Sequence, residues 1–160
     1  MRHAGGCFCG AVRYSLKRAP MFVNCCHCTQ CQTITGSAFV INAIIETSEI
    51  VVDDATPIRT DGPSEGGVHD IYRCPQCFTA LWSDYRRRGW LAFVRVCTLD
   101  DPGALPPDAH IFTRTKLPWV NLEGGAPAFD IFYDMATLWP AASLERRAAA
   151  EAAANKEADQ

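Results

Sequence analysis

The chain has 160 residues, of which 48% are hydrophobic and 21% charged, and its formal net charge at pH 7 is −3. That is the balance of a globular domain with a modest core. It excludes the basic footprint of a nucleic-acid binder, and no run approaches the roughly 18 apolar residues of a membrane helix. The one basic run, Arg86-Arg87-Arg88, precedes Gly89 and reads as a solvated turn. The N-terminal residues up to Cys7 contain no apolar stretch of the signal-peptide kind, so a cytoplasmic location is expected. Thiols stay reduced there. Nine cysteines then point to metal or redox chemistry rather than to a disulfide framework.

In chain order, positions 11–16 alternate apolar and polar residues with period 2, as a half-buried strand does. Positions 37–45 are apolar and β-branched, with little helical periodicity. Positions 68–73, 78–84 and 90–99 are rich in Val, Tyr, Phe and Trp and are predicted as strands, as are 109–115 and 129–133. Gly/Pro punctuation separates them: Thr56-Pro57, Asp61-Gly62-Pro63, Glu65-Gly66-Gly67, Asp101-Pro102-Gly103, Pro106-Pro107 and Gly124-Gly125. Many short strands with such turns predict an all-β domain over 1–140. The remainder, 141–160, is Ala-rich and predicts a short helical tail with no broad apolar stripe. Ser143 is its expected cap, with Glu145 in the first turn.

Seven cysteines fall in three groups: Cys7 and Cys9; Cys26, Cys28 and Cys31; and Cys74 with Cys77. A Cys-x-x-Cys knuckle aims two sulfurs at one ion, and a Cys-x-Cys bend does likewise. Joining the first and last groups closes a four-thiolate tetrahedral site of structural type. Cys26, Cys28 and Cys31 remain, and three protein ligands with a free fourth position are the pattern of a catalytic zinc. Iron–sulfur ligation is the alternative for either group. The three-cysteine group closes instead if Cys25 or His27 completes it. In an extended chain both residues flanking Cys26 point to the opposite face, which makes them poor fourth ligands. Cys74-x-x-Cys77 also fits a dithiol redox motif, but no βαβ pattern surrounds it. Cys97 is expected as a small buried residue on a strand.

The segments Gly6-Cys7-Phe8-Cys9-Gly10-Ala11-Val12-Arg13-Tyr14, Cys26-His27-Cys28-Thr29-Gln30-Cys31-Gln32, Gly36-Ser37-Ala38-Phe39, Cys74-Pro75-Gln76-Cys77, and His110-Ile111 through Lys116-Leu117-Pro118-Trp119 occur in one order. In them the chain resembles the glutathione-dependent formaldehyde-activating enzymes, a family that includes the centromere protein V domain. The resemblance runs over roughly residues 5–133. It implies coiled antiparallel sheets stapled by zinc, similar to B-type methionine sulfoxide reductases. It implies two zinc ions per chain: a structural one on Cys7, Cys9, Cys74 and Cys77, and a second on Cys26, Cys28 and Cys31. The activity implied is a carbon–sulfur lyase reaction, condensing formaldehyde with glutathione to S-hydroxymethylglutathione. The family usually has Gly after the last knuckle cysteine. Here Phe78 stands in that place and must take a costlier conformation unless the knuckle turns differently.

A small thiol such as glutathione is therefore the expected partner, with no nucleic acid and no membrane; the oligomeric state is open. His110 and Lys116, and less so Arg114, are candidates to bind the ligand's carboxylates, against the reading of a strand edge with solvated charges. Thr29 and Gln30 are candidates to donate hydrogen bonds to the sulfurs. Ser37 reads as a turn or strand-entry residue, since no base stands beside it. The competing function is a non-catalytic zinc scaffold. Methionine sulfoxide reduction comes last, on analogy of fold alone.

Overall fold

The computed structural model describes residues 3–63, 67–122 and 124–158; the turn signal at Glu65-Gly66 lies outside them. Strands β1 (His3–Gly6), β2 (Arg13–Leu16) and β5 (Ile50–Val52) form a three-stranded antiparallel sheet in the order β1-β2-β5. The second sheet has seven strands: β3 (Phe22–Cys26), β4 (Val40–Glu46), β6 (Ile58–Asp61), β7 (His69–Arg73), β8 (Ala80–Tyr85), β9 (Leu91–Arg95) and β10 (Ala109–Ile111). Their order is β10-β3-β4-β9-β8-β7-β6. Helices α1 (Thr29–Thr35), α2 (Met135–Leu138) and α3 (Ala141–Ala158) complete the described elements. The chain is mostly β with a C-terminal helix, as its sequence predicts. One pairing departs from antiparallel: β10 runs parallel to β3, because the chain leaves β9 and crosses to the far edge of the sheet before pairing.

Side chains alternate across each strand, so rows of paired residues share a face. The row Val23, Ala43, Val94, Trp82 and Tyr72 faces the small sheet. There it packs with Val12, Tyr14 and Leu16 into the first core, and Tyr14 meets Trp82 edge-on with ring centroids 5.9 Å apart. The opposite face carries the row Phe22, Ile44, Phe93 and Ser83. Phe22 stacks on Trp139 with centroids 5.2 Å apart, and Tyr133 packs beside them in a second core. On this same face lies a polar row, Asn24, Asn42 and Arg95, one register step from Cys26.

Several predicted boundaries shift. Positions 90–99 hold β9 only to Arg95 and then a 3-10 turn, Val96–Thr98. This turn puts Cys97 at the surface, where a buried strand residue was expected. Positions 129–133 form no strand. They follow Ala128, which bridges to His110 of β10, and deliver Phe129 and Tyr133 to the second core. Ser143 does not cap α3. The helix begins two residues earlier, and the Ser143 hydroxyl donates to the Met21 carbonyl at 2.7 Å.

An ion pair helps to fasten helix α3 to the sheet. Arg146 donates twice to the Glu46 carboxylate, at 2.9 and 2.6 Å, and once to the Ala19 carbonyl. Burial pushes the Glu46 carboxyl up, but the bonds from Arg146 outweigh this and hold it below its ordinary 4.5. A lowered folded-state pKa contributes stability above the unfolded value, lost as pH falls through the folded one. Arg146→Ala, which leaves a buried carboxylate unpaired, is expected to cost about 2 kcal/mol at pH 7. The urea midpoint should show the loss, and the gap to the parent should close as pH falls below 4.5. A gap that is constant with pH would assign the helix contact to packing alone.

Candidate functional site

Four sulfurs converge where the small sheet meets the large one. Cys7 and Cys9 lie on the turn between β1 and β2; Cys74 and Cys77 lie on the turn between β7 and β8. All four sulfurs lie within 4.8 Å of one another. Cys7 and Cys9 are 3.5 Å apart and Cys9 and Cys74 3.7 Å. A zinc–sulfur tetrahedron with bonds of about 2.3 Å has edges of about 3.8 Å, so this set is spaced to hold such an ion. Its outer contacts are donors suited to thiolates: the Val12 N–H to Cys7 at 3.2 Å, the Gln76 N–H to Cys74 at 3.4 Å and the Thr79 hydroxyl to Cys77 at 3.1 Å. The Thr79 contact holds Cys77 down to about 5.

The knuckle closes on Phe78 in the left-handed region, at φ 58°, and its N–H donates to the Cys74 carbonyl at 3.1 Å. Glycine takes this conformation freely, whereas a side chain there costs roughly 1–2 kcal/mol. The ring is 60% exposed and returns little by packing. Phe78→Gly is therefore expected to raise stability by about 1 kcal/mol, read as a higher melting temperature at unchanged metal content. A lower melting temperature would mean that the ring shields the cluster.

Cys26, Cys28 and Cys31 form a second group, again with sulfurs within 4.8 Å of one another. Cys26 ends β3. The expected loop after it is helical: Cys28 is the N-cap of α1, and its sulfur accepts the Cys31 N–H at 3.3 Å. One helical turn from cap to third residue brings Cys31 back beside Cys28. The neighbouring thiols of Cys26 and Cys31 hold Cys28 low, and Cys28 and Cys31 in turn push Cys26 up. This trio lines a cavity of about 280 Å³ together with Asn24, Gln30, Asn42, Tyr85, Arg88, Phe93, Ile111, Phe112 and Phe132. The cavity floor is the second-core face of the large sheet.

Residues flanking Cys26 do point the other way. Cys25, His27 and His110 meet on the opposite face, with the Cys25 sulfur 3.5 Å from His27 Nε2 and His27 Nε2 3.1 Å from His110 Nδ1. Burial, then His110 and Lys116, pushes His27 down to about 4, so the pair is neutral and one imidazole donates to the other. His27 Nδ1 is buried without a partner, whereas a ligating histidine normally donates through its second nitrogen. This trio is thus a hydrogen-bonded pair of imidazoles beside a thiol, not a third ligand set with a supporting shell.

The other sequence candidates, Gln30 excepted, fall outside the cavity. His110 is buried with His27, and the Lys116 ammonium donates to the Leu117 and Val120 carbonyls at 3.2 and 2.6 Å. Arg114 and Thr29 are exposed. Gln30 lines the cavity but donates to the Pro63 carbonyl rather than to sulfur. Ser37 bonds the Phe39 carbonyl, as a turn residue does. Missed by the sequence was Arg88. Its neighbour Arg87 pairs with the buried Asp70 at 2.7 Å, while Arg88 turns into the cavity. Three adjacent arginines give no signal of which one does so; the left-handed Arg86 and Arg87 decide it.

A sheet scaffold carrying one four-cysteine and one three-cysteine cluster, the latter opening on a cavity, defines a protein able to hold metal with a reactive face. The sequence matches the family model described as glutathione-dependent formaldehyde-activating enzyme over residues 2–115, and the chain belongs to that family. No curated protein matches it. A Rhodobacter sphaeroides protein of known crystal structure is similar at 17% identity and a TM-score of 0.47, over 79% of this chain and 99% of that one. No helix among the described residues is long and apolar enough to cross a membrane.

Proposed function

We propose that the chain is a zinc-dependent carbon–sulfur lyase of cytoplasmic type that joins glutathione, or a similar thiol, to formaldehyde. In this reading Cys7, Cys9, Cys74 and Cys77 hold a structural zinc that staples the two sheets, in a fold akin to B-type methionine sulfoxide reductases. Cys26, Cys28 and Cys31 hold a second zinc, with 1–140 as the catalytic domain and 141–160 as its appendage. The observation that carries the reading is the cavity into which the three-cysteine group opens. A zinc bound there would supply positive charge that favours the thiolate form of an incoming thiol.

The chain's own residues do the rest. Phe93, Ile111, Phe112 and Phe132 give the cavity an apolar wall beside the three sulfurs. Among the described residues Arg88 has no carboxylate within ion-pair distance, so its guanidinium is free to take a carboxylate of glutathione. The described lining contains no carboxylate or imidazole, so the thiol proton passes to solvent.

Magnetisation-exchange NMR of glutathione and formaldehyde with their adduct tests this, with the spontaneous reaction as control. The zinc-loaded chain is expected to accelerate the exchange, and the chelator-treated chain to lose the acceleration. Zinc-loaded protein that leaves the spontaneous rate unchanged would exclude this thiol–aldehyde pair.

A further inference from the structure

The polar row beside Cys26 lies next to the apolar row Phe22, Ile44 and Phe93 on the same sheet face. Asn24 and Asn42 are 3% and 4% exposed, and both line the cavity of the three cysteines. Which end of each carboxamide faces the cavity follows from donor chemistry. Arg95 has only donors, so its contact with Asn42 must be to Oδ1. The Trp139 indole N–H donates to the Tyr133 hydroxyl oxygen at 2.9 Å. The Tyr133 proton then points onward, and its contact with Asn24 at 2.9 Å must also be to Oδ1. Both oxygens are thereby occupied from behind. Among the described residues neither carboxamide nitrogen has a protein acceptor, sulfur included.

The two side chains are buried, but their NH₂ groups open on the cavity, where a ligand or water can meet them. Arg95 is itself buried, with no carboxylate partner among the described residues. It is tied only to Asn42 and to Ser83 at 2.8 Å, and Ser83 is bonded in turn to His69 at 2.9 Å. Arg95 therefore fixes Asn42 and polarises its amide, and the Trp139–Tyr133 relay does the same for Asn24.

We infer that the Asn24 and Asn42 carboxamide nitrogens form a donor pair for a carbonyl oxygen, and for the oxyanion it becomes; this rests on the function proposed above. The thiolate sulfur forms a bond to the aldehyde carbon as the C=O π pair moves onto oxygen. That oxygen, held by the two N–H donors, takes a proton from solvent to give the hydroxymethyl thioether. The proton gained balances the one the thiol released. Donors set where charge develops act more strongly on the transition state than on the bound aldehyde.

The test uses the metal-loaded chain and the variants Asn42→Asp, Asn42→Leu and Asn24→Leu, each checked for metal content and melting. Asn42→Asp keeps an acceptor for Arg95 and removes the donor; Asn42→Leu removes the donor without adding charge. Each is expected to lower the catalysed exchange rate about 10²-fold while glutathione affinity by calorimetry stays within about threefold. Variants that bind metal and exchange within about threefold of the parent would overturn the inference and leave the proposed function standing. A second readout is independent of turnover: the side-chain NH₂ resonances of Asn24 and Asn42 in ¹⁵N-labelled parent protein saturated with glutathione. Formaldehyde should shift both. If the parent does not accelerate exchange, the functional reading fails, and these resonances alone decide the inference: a shift of both upholds it and no shift refutes it.

Discussion

Replacing Cys74 by serine is expected to leave a chain with no cooperative thermal transition and no metal at the four-cysteine cluster. Cys74 is fully buried at the end of β7, and its sulfur sits 3.7 Å from that of Cys9 across 65 positions of sequence. The cluster is the joint between the β1–β2 turn of the small sheet and the β7–β8 turn of the large one. Metal binding in small zinc peptides is worth about 10–16 kcal/mol, and a whole domain is stable by only about 5–15 kcal/mol. Losing even half of that first quantity, about 5–8 kcal/mol, is comparable with the whole stability of a domain. A serine hydroxyl is also a poor zinc ligand and, buried there, a poor hydrophobe. Calorimetry and metal analysis on purified protein measure the outcome. A cooperative melt within about 5 °C of the parent would mean that the sheets hold each other without the staple.

How far the sequence could be read depended on where each pattern was written. Cysteine spacing carries the two clusters without help from the fold, because ligands must sit within one turn of each other or on one knuckle. The extended geometry at Cys26 placed Cys25 and His27 on the far face, and the structure agrees. The Phe78 departure was legible through the family's usual glycine at that place, and the structure puts Phe78 in the left-handed region. Other features were hidden for physical reasons. Strand β3 is buried along its whole length, so Phe22–Cys26 shows no alternation. Helix α1 is two turns long and its cap is a cysteine, so it resembles a metal loop in sequence. Cys97 looks apolar among Val94, Val96 and Leu99, but a 3-10 turn breaks the strand before it and exposes the thiol. The Asn24–Asn42–Arg95 row depends on pairing among three strands distant in sequence, which no local window contains. His110 and Lys116 stood out as lone polar residues near a Pro-Trp pair, yet their polar atoms are used within the fold.

Replacing Cys28 by serine should separate chemistry from folding. Serine is a better helix N-cap than cysteine, so the Cys31 N–H keeps an acceptor and α1 keeps its start. The three-cysteine group lies on the cavity face and joins only β3 to α1, whereas the four-cysteine group joins two sheets. Its loss therefore removes no long-range tie. The expected result is a melting temperature within about 5 °C of the parent, with metal content lower by one ion per chain. Acceleration of glutathione–formaldehyde exchange should fall to the spontaneous rate, a loss of at least about 10³-fold in the catalysed rate. The contrast with Cys74→Ser is the informative quantity: one variant unfolds with its chemistry untested, the other folds without it. If Cys28→Ser also lost the cooperative melt, the second group would be a staple like the first. If it kept both its fold and its rate, the reacting thiol would bind away from these three sulfurs, and the cavity beside them would have to be assigned to another ligand.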